Sequence, residues 1–399
     1  MESLVERNDN KRYEKEKKRH KRAVVLTIST CTIAAVCLFA YILNNVINKH
    51  YLGYEVVKTI PRQDSSSVTY AKYKDGLLKY SHDGASAIDG EGKTLWNGSY
   101  DMNNPSVDIC GDFAVIGDIG GKEWYVYNGS DSGTKFEETL PIAQIKIAGQ
   151  GVVAVLLNDK DSNEIHLYNP YDSSQMLLAK IPTNLSEDGY PIDIDLSNDG
   201  KKIVTSYMGV SKGEIQCKVS FYNFDDVGKD KVNRMVGGVD FGTDLIHKVD
   251  FVNDDTVCMF GEKGFFVYSM GELPEEVFKK TFKNQTIKSI VMNENYIGCI
   301  LQSKDGSAEY PLTLYRYNGK KVLEQKINYQ YDEVKLEDDE ILFTSDMECN
   351  ILRTNGSEKL HTVFDKKIDY VFHLSGKENY IFIDESKINK VKLSGKIKV

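Results

Sequence analysis

Proline and tryptophan are scarce in this chain. Its 399 residues include eight prolines and two tryptophans, against 31 glycines and 24 tyrosines. This composition excludes a collagen, a coiled coil, a disulfide-stabilised miniprotein and a multi-span transporter. The hydrophobic share of 41% and the charged share of 27% indicate a globular protein. Abundant glycine and tyrosine favour a turn-rich β-protein.

A net positive charge is also lacking outside one segment. The net charge is −9 and the sequence pI is about 5.5, which argues against a general nucleic-acid binder. Residues 1–22 hold nine Lys/Arg against five Asp/Glu, so this tail carries +4 and the other 377 residues carry −13. The basic block is therefore a local feature, which predicts a topology signal or, alternatively, a tail that binds a partner.

An uncharged run of 21 residues, 23–43, follows the basic block. A helix of that length, at about 1.5 Å per residue, matches a bilayer core of about 30 Å. A cleaved signal peptide would have a shorter apolar region and an Ala-x-Ala-type site, whereas this run ends in Leu43-Asn44-Asn45. A buried soluble helix is disfavoured by the adjoining basic block. We expect a single-pass anchor.

The positive-inside rule places the N-terminus in the cytoplasm and the remainder outside the cytoplasmic membrane. The predicted domains are a basic cytoplasmic tail (1–22), a transmembrane signal anchor (23–43), a linker (44–67) and an extracytoplasmic domain (68–399).

A short signature recurs through the last 330 or so residues. An apolar strand end is followed by Asn, Asp or Ser, and usually by Gly. It occurs eight times, with a mean spacing of about 44 residues, beginning at Ile88, Tyr127, Tyr168, Tyr222, Tyr268, Tyr317, Thr354 and Leu393. Asn-Gly and Asp-Gly close tight hairpins because they tolerate positive φ.

The period predicts an all-β fold, an eight-bladed β-propeller after the single N-terminal helix. Blades of this fold have four strands and run to about 40–50 residues. Apolar runs before each signature indicate strands sandwiched between neighbouring blades, and the polar run after it indicates an outer strand. A seven-bladed ring and a pair of β-sandwich domains are the alternatives. Either 54–60 or 396–399 is expected to close the ring, and the pattern does not choose between them.

Several segments resemble known propeller repeats. Residues 77–96 resemble a quinoprotein-type (PQQ-like) repeat, and 195–207 resemble the turn and strand of WD40 and TolB-type blades. The chain as a whole is similar to a family of clostridial membrane-anchored propellers, domain-of-unknown-function family 5711, through 83–109, 189–207 and 219–224. That family has no established activity, so the resemblance implies a fold and a membrane location, without a mechanism.

No catalytic, cofactor-binding or metal site is predicted. Quinone-dependent propellers use tryptophans in most repeats, whereas only Trp96 and Trp124 occur here. The seven histidines form no HxH or HExxH pair. The segment that begins at Asp159 resembles an EF-hand loop but lacks its glycine and its final glutamate. We therefore expect no enzyme activity and no cofactor.

The leading functional hypothesis is a non-enzymatic scaffold that binds an envelope protein or a cell-wall polymer, with no nucleic-acid partner. A glycan- or peptide-processing enzyme and a sensor coupled to the cytoplasmic tail remain as alternatives.

The candidate binding residues lie where the chain enters the innermost strand of a blade. Proline at such an entry lowers the ordering cost of binding, and tyrosine is enriched at interfaces. This reasoning selects Asn104, Pro105, Tyr190, Pro191 and Asp193 as a binding patch. The alternative is that the prolines only steer the chain into each blade.

Overall fold

The computed structural model describes residues 2–62, 67–130, 132–159, 162–211, 213–283, 285–303 and 309–395, without the side chains of 2–12 and 43–46. One helix, α1 (Glu2–Ile47), precedes the strands. Its segment Tyr13–Ile42 is long and apolar enough to cross a membrane, with a mean hydropathy of 2.3 in its most apolar stretch. The helix is a candidate transmembrane span.

The described strands form eight antiparallel sheets of four strands each. From the innermost strand outward, blade 1 consists of β2 Thr69–Tyr73, β3 Gly76–Ser81, β4 Gly84–Ile88 and β5 Thr94–Ser99, and blade 2 consists of β6 Pro105–Cys110, β7 Phe113–Asp118, β8 Glu123–Tyr127 and β9 Thr134–Glu137. Blade 3 consists of β10 Ile142–Ile147, β11 Val153–Asn158, β12 Ser162–Tyr168 and β13 Leu177–Asn184, and blade 4 consists of β14 Tyr190–Leu196, β15 Lys202–Ser211, β16 Glu214–Asn223 and β17 Met235–Gly242.

The other four blades complete the ring. Blade 5 consists of β18 Ile246–Phe251, β19 Thr256–Gly261, β20 Gly264–Ser269 and β21 Glu275–Thr281, and blade 6 consists of β22 Ile287–Met292, β23 Ile297–Leu301, β24 Tyr310–Tyr315 and β25 Lys321–Ile327. Blade 7 consists of β26 Glu333–Glu337, β27 Glu340–Thr344, β28 Glu348–Arg353 and β29 Glu358–Val363, and blade 8 consists of β30 Ile368–His373, β31 Asn379–Asp384, β32 Lys387–Ser394 and β1 Gly53–Pro61. The eight-bladed propeller predicted from the period is confirmed, and the seven-bladed ring and the sandwich pair are wrong.

Seven of the eight signatures lie at the turn between the third and fourth strands of a blade, where hairpin chemistry is needed. The eighth, at Leu393, ends β32, whose outer neighbour β1 comes from the N-terminal part of the chain. The second strands are buried on both faces: Ile297–Leu301 of blade 6 is buried throughout. The outer strands are largely exposed, as in Thr134–Glu137 of blade 2. This difference follows from position, because neighbouring blades cover the inner strands and solvent covers the rim.

The hydrophobic core is divided among the gaps between consecutive blades. Among the residues that the structure describes, eight clusters of buried side chains fill these gaps. One of them joins the last blade to the first, where Phe372 and Ile381 pack with Tyr70 and Leu77. Each blade is therefore stabilised mainly by its two neighbours, and the ring is continuous.

The ring closes through the N-terminal strand. β1 pairs antiparallel with β32 from Gly53↔Ser394 to Pro61↔Lys387 and is the outer strand of blade 8. β1 lies within the 44–67 segment that the sequence sets apart as a linker, so that segment contributes a strand to the ring. The alternative closing segment, 396–399, lies outside the described residues.

The strand order defines two faces of the disc. The entry face carries the connections into each innermost strand and the turns between second and third strands. The anchor face carries the other turns and the start of β1, six residues after α1 ends. Asn48 accepts a hydrogen bond from Asn355 Nδ2 (2.8 Å), and Tyr51 N–H donates to Lys359 O (2.9 Å), so the segment after α1 lies against blades 7 and 8.

Candidate functional site

The five predicted binding residues all lie at or just after entries to innermost strands, but on two separate blades. Asn104 and Pro105 precede or begin β6 of blade 2. Tyr190, Pro191 and Asp193 lie in β14 of blade 4. Blade 3 stands between the two groups, and no contact recorded for the described residues joins them.

The entry on blade 2 is held by the protein itself. The Asn104 backbone N–H donates to Asp118 Oδ1 (2.8 Å), and its carbonyl accepts from Ile119 N–H (2.9 Å). The Asn104 side chain is exposed and Pro105 is half-buried. The loop is therefore rigid and leaves the Asn104 amide group at the surface.

On blade 4, only Tyr190 among the three predicted residues is exposed. The residue is 42% exposed, and its hydroxyl accepts a hydrogen bond from Asn158 Nδ2 of blade 3 (3.1 Å). Pro191 is buried, and Asp193 Oδ2 accepts from Val249 N–H of blade 5 (2.8 Å). Asp193 thus connects two blades, while Tyr190 is available to a partner.

A groove of about 940 Å³ opens beside Tyr190. One wall is the 185–190 connection, and the other is the hairpin of β15 and β16, each ten residues long. Lys218 Nζ joins the two walls by donating to Glu187 O and Asp188 Oδ1, both at 3.1 Å. This lysine therefore links the two walls of the groove.

The extension of this hairpin exposes apolar side chains. Val210 and Ile215 are register partners near its tip and are 76% and 49% exposed. Register partners in an antiparallel pair lie side by side on one face of the sheet. With Tyr190 and Met208 of the adjoining groove, they make an apolar strip on the entry face. Sequence reasoning missed this strip, although the two unusually long strand-like segments that bracket Lys212-Gly213, 202–211 and 214–223, are a usable signal.

Acidic side chains line the opposite end of the central channel. A cavity of about 540 Å³ on the anchor face is bordered by Asp108, Lys146, Asp195, Asp250 and Glu294. Lys146 Nζ lies 3.2 Å from Asp195 Oδ1. Burial raises the pKa of Asp195 to about 7, against the opposing charge of Lys146. A carboxyl that titrates near neutrality in a cavity is a usual mark of proton-transfer chemistry.

The contacts of these acids favour a structural role instead. Asp195 Oδ2 accepts from Phe251 N–H (2.6 Å), and Asp108 Oδ2 accepts from Ile147 N–H (2.8 Å). Innermost strands have one edge without a β-partner, and a buried N–H there needs an acceptor. Asp195 and Asp108 supply this acceptor to the innermost strand of the blade that follows their own. Within the described ranges, no group of three His, Cys, Asp or Glu side chains could hold a metal ion.

A second buried polar cluster lies between blades 2 and 3. His166 Nδ1 is 3.1 Å from Glu138 Oε2, and its Nε2 is 2.7 Å from Glu164 Oε2. Trp124 Nε1–H donates to Glu138 Oε1 (3.3 Å). Burial opposes protonation of His166, but the two carboxylates outweigh it and raise the pKa of the imidazole. The histidine side chain is only 1% exposed, so the cluster is structural.

The raised pKa of His166 predicts a pH-dependent stability. A histidine whose pKa is higher in the folded state contributes stability that is complete below its unfolded pKa of about 6.5 and is lost as pH rises through the folded pKa. We expect His166→Gln to lower the melting temperature most near pH 6, with a smaller deficit near pH 9. Thermal unfolding of both proteins across this range measures the difference. A deficit that stays constant with pH would contradict charge pairing at His166.

Comparisons with known proteins agree with this geometry. A model described as "Family of unknown function (DUF5711)" matches residues 47–393. BamB from Moraxella catarrhalis has a TM-score of 0.52 at 14% identity, over 85% of this chain and 100% of that one. The C-terminal WD40 domain of Sif2 has a TM-score of 0.54 at 12% identity, over 86% and 99%.

A third structure, Chaetomium thermophilum Sqt1 bound to the N-terminus of ribosomal protein L10, has a TM-score of 0.51 at 12% identity, over 82% of this chain and 92% of that one. At these identities the likeness shows the propeller fold alone. No functionally curated protein matches the sequence.

Proposed function

Because this chain belongs to that family of unknown function, we propose its role from its own surface: a non-enzymatic scaffold, anchored in the cytoplasmic membrane, that binds an envelope protein on the entry face of its propeller. The N-terminal tail lies in the cytoplasm and the propeller outside it, in keeping with the nine basic residues that precede the span.

One observation carries this proposal: the apolar strip and the anchor are on opposite faces and opposite sides of the ring. The segment after α1 lies on the anchor face of blades 7 and 8. The strip of Tyr190, Met208, Val210 and Ile215 is on the entry face of blade 4, halfway round the ring. This position points the strip away from the membrane.

The chemistry of the strip favours a protein over a cell-wall polymer. Exposed aliphatic side chains beside an exposed tyrosine are typical of the centre of a protein interface. A glycan polymer would be expected to meet more polar and planar groups. Glu187, Asp188 and Lys218, which border the groove, supply a polar rim.

The same reasoning disfavours an enzyme that uses the channel acids. An enzyme needs polar groups free to act on a substrate, whereas Asp108 and Asp195 already accept backbone hydrogen bonds.

Site-specific photo-crosslinking in intact cells tests the proposal. A photoreactive residue at Val210 or Ile215 is expected to give one discrete protein adduct, because both side chains lie in the strip. Val232 is the matched control, since it is 85% exposed on the anchor face of the same blade. Tyr190→Ala should lower the Val210 adduct by roughly tenfold, the effect of losing about 1.4 kcal/mol at an aromatic contact.

Equal adducts at Val210 and Val232 would contradict a specific entry-face interface. Unchanged melting of Tyr190→Ala serves as the folding control. Loss of the adduct together with a lower melting temperature would assign Tyr190 to folding rather than binding.

A further inference from the structure

We propose that the anchor face of blade 8 carries a binding site for the headgroup of an anionic phospholipid, formed by Lys49, Lys377 and Lys392. The inference rests on the proposed membrane anchoring and adds to it a lipid class and the residues that recognise it.

The site is an open pocket of about 750 Å³ at the junction of helix and propeller. Its lining joins three parts of the chain. Ile42 belongs to the candidate span, Lys49 and Tyr51 follow it, and Lys377 and Lys392 come from blade 8. An apolar side chain of the span at one end and ammonium groups at the other match the boundary between the acyl chains and headgroups of a bilayer.

Glu378 organises the basic groups. Its Oε1 is 3.1 Å from Lys49 Nζ and accepts a hydrogen bond from the Tyr51 hydroxyl (2.6 Å), while its Oε2 is 3.6 Å from Lys392 Nζ. These contacts hold two ammonium groups around one carboxylate. The tyrosine and both lysines together lower the pKa of Glu378, so it stays ionised and keeps them in place.

Positive charge remains after this pairing. The lining has three lysines and one glutamate, a formal +2, whereas residues 23–399 carry −13. Glu55, the register partner of Lys392 in β1, is adjacent but does not line the pocket. The Lys377 side chain lies in the exposed turn between β30 and β31, and the described residues provide no ion pair for it.

The location decides the source of the anion. Ile42 is at the end of the span, and six residues separate it from Lys49. A phosphate group at this depth is therefore a headgroup in the leaflet that faces the propeller. Lysine next to an anionic leaflet is attracted to it within about a Debye length, and Tyr51 suits the same interfacial zone.

Lysine labelling of the full chain in vesicles tests this site. The chain is reconstituted in phosphatidylcholine vesicles with and without about 30% phosphatidylglycerol and treated with an impermeant acetylating reagent. Peptide mass spectrometry then compares Lys377 with Lys283, an exposed lysine between β21 and β22 on the entry face. We expect phosphatidylglycerol to lower the Lys377 labelling rate about threefold or more relative to Lys283.

Two variations define the mechanism. High salt should restore Lys377 labelling because it screens the headgroup charge. The double variant Lys49→Gln, Lys392→Gln should lose most of the protection, and it should fold normally because these side chains are 51% and 57% exposed.

Equal labelling in both vesicles would overturn the site, and so would the same protection by inorganic phosphate in detergent, which would indicate a free-anion site. Protection in pure phosphatidylcholine alone would indicate steric shielding and overturn headgroup recognition. A separate measurement tests the proposed anchoring: extraction of the chain from the vesicles by alkaline carbonate would contradict it, whatever the labelling of Lys377.

Discussion

A fragment that begins at residue 68 is expected to fail to fold as a stable ring, whereas one that begins at residue 48 folds. The shorter fragment lacks β1, which makes eight register pairs with β32. It also lacks Tyr51 and Tyr54, which are 4% and 8% exposed and pack with Phe364 and Phe382. Burial of two such side chains contributes roughly 3–6 kcal/mol, a large part of the stability of a domain.

Chemical denaturation of the two fragments measures this loss. The unpaired edge of β32 should also make the shorter fragment prone to aggregation. A synthetic peptide of residues 48–62 is the control, because it should restore folding when added in excess. Similar unfolding midpoints for the two fragments would show that the ring does not depend on its N-terminal strand.

Glu340→Ala is expected to destabilise the propeller by about 3–5 kcal/mol, the usual cost of leaving a buried charge without its partner. Glu340 pairs with Lys359 and accepts a hydrogen bond from the Tyr380 hydroxyl, between blades 7 and 8. Lys359 and Tyr380 are 2% and 0% exposed. Burial lowers the pKa of Lys359 despite the opposing effect of Glu340, so the lysine depends on this carboxylate for its charge.

The triple variant Glu340→Leu, Lys359→Met, Tyr380→Phe is the informative companion. Replacing all members of a buried ionic cluster with apolar side chains often leaves the free energy of unfolding unchanged. This variant should therefore unfold near the wild-type midpoint. Glu324→Ala breaks the exposed pair with Lys321 and should leave the midpoint unchanged. A triple variant as unstable as Glu340→Ala would indicate that packing, rather than the stranded charge, causes the loss.

The blade number was predictable because the signature recurs once in every blade, and in seven of the eight it closes a hairpin turn. The signatures at Tyr127 and Tyr317, for example, both precede a Gly with positive φ, at Gly129 and Gly319. Such a turn depends on the local backbone preferences of its residues, so it can be predicted from the sequence without knowledge of the tertiary structure. The closing strand was not predictable, because strand propensity at either end of the chain says nothing about which one reaches β32.

The candidate site was predictable only in part. The entries at Pro105 and Tyr190 follow directly from strand order. The side of the sheet on which the Asp193 side chain lies does not follow from strand order, because a register irregularity between Pro191 and Asp193 interrupts the alternation of side chains along β14. Asp193 then meets Val249 of the next blade. The lysines of blade 8 are distant in sequence from Lys49, and only the closed ring brings them together.

Closure by β1 has a mechanical consequence. The strand that completes the ring is joined to α1 by only a few residues. In the proposed membrane-anchored scaffold, a pull between the membrane and a partner on the entry face would therefore load the β1–β32 pair. That pull runs along the strand axis, whereas the hydrogen bonds of an antiparallel pair lie across it. The bonds from Gly53 to Pro61 are then loaded together in shear, so the tether resists force as one unit instead of peeling open bond by bond.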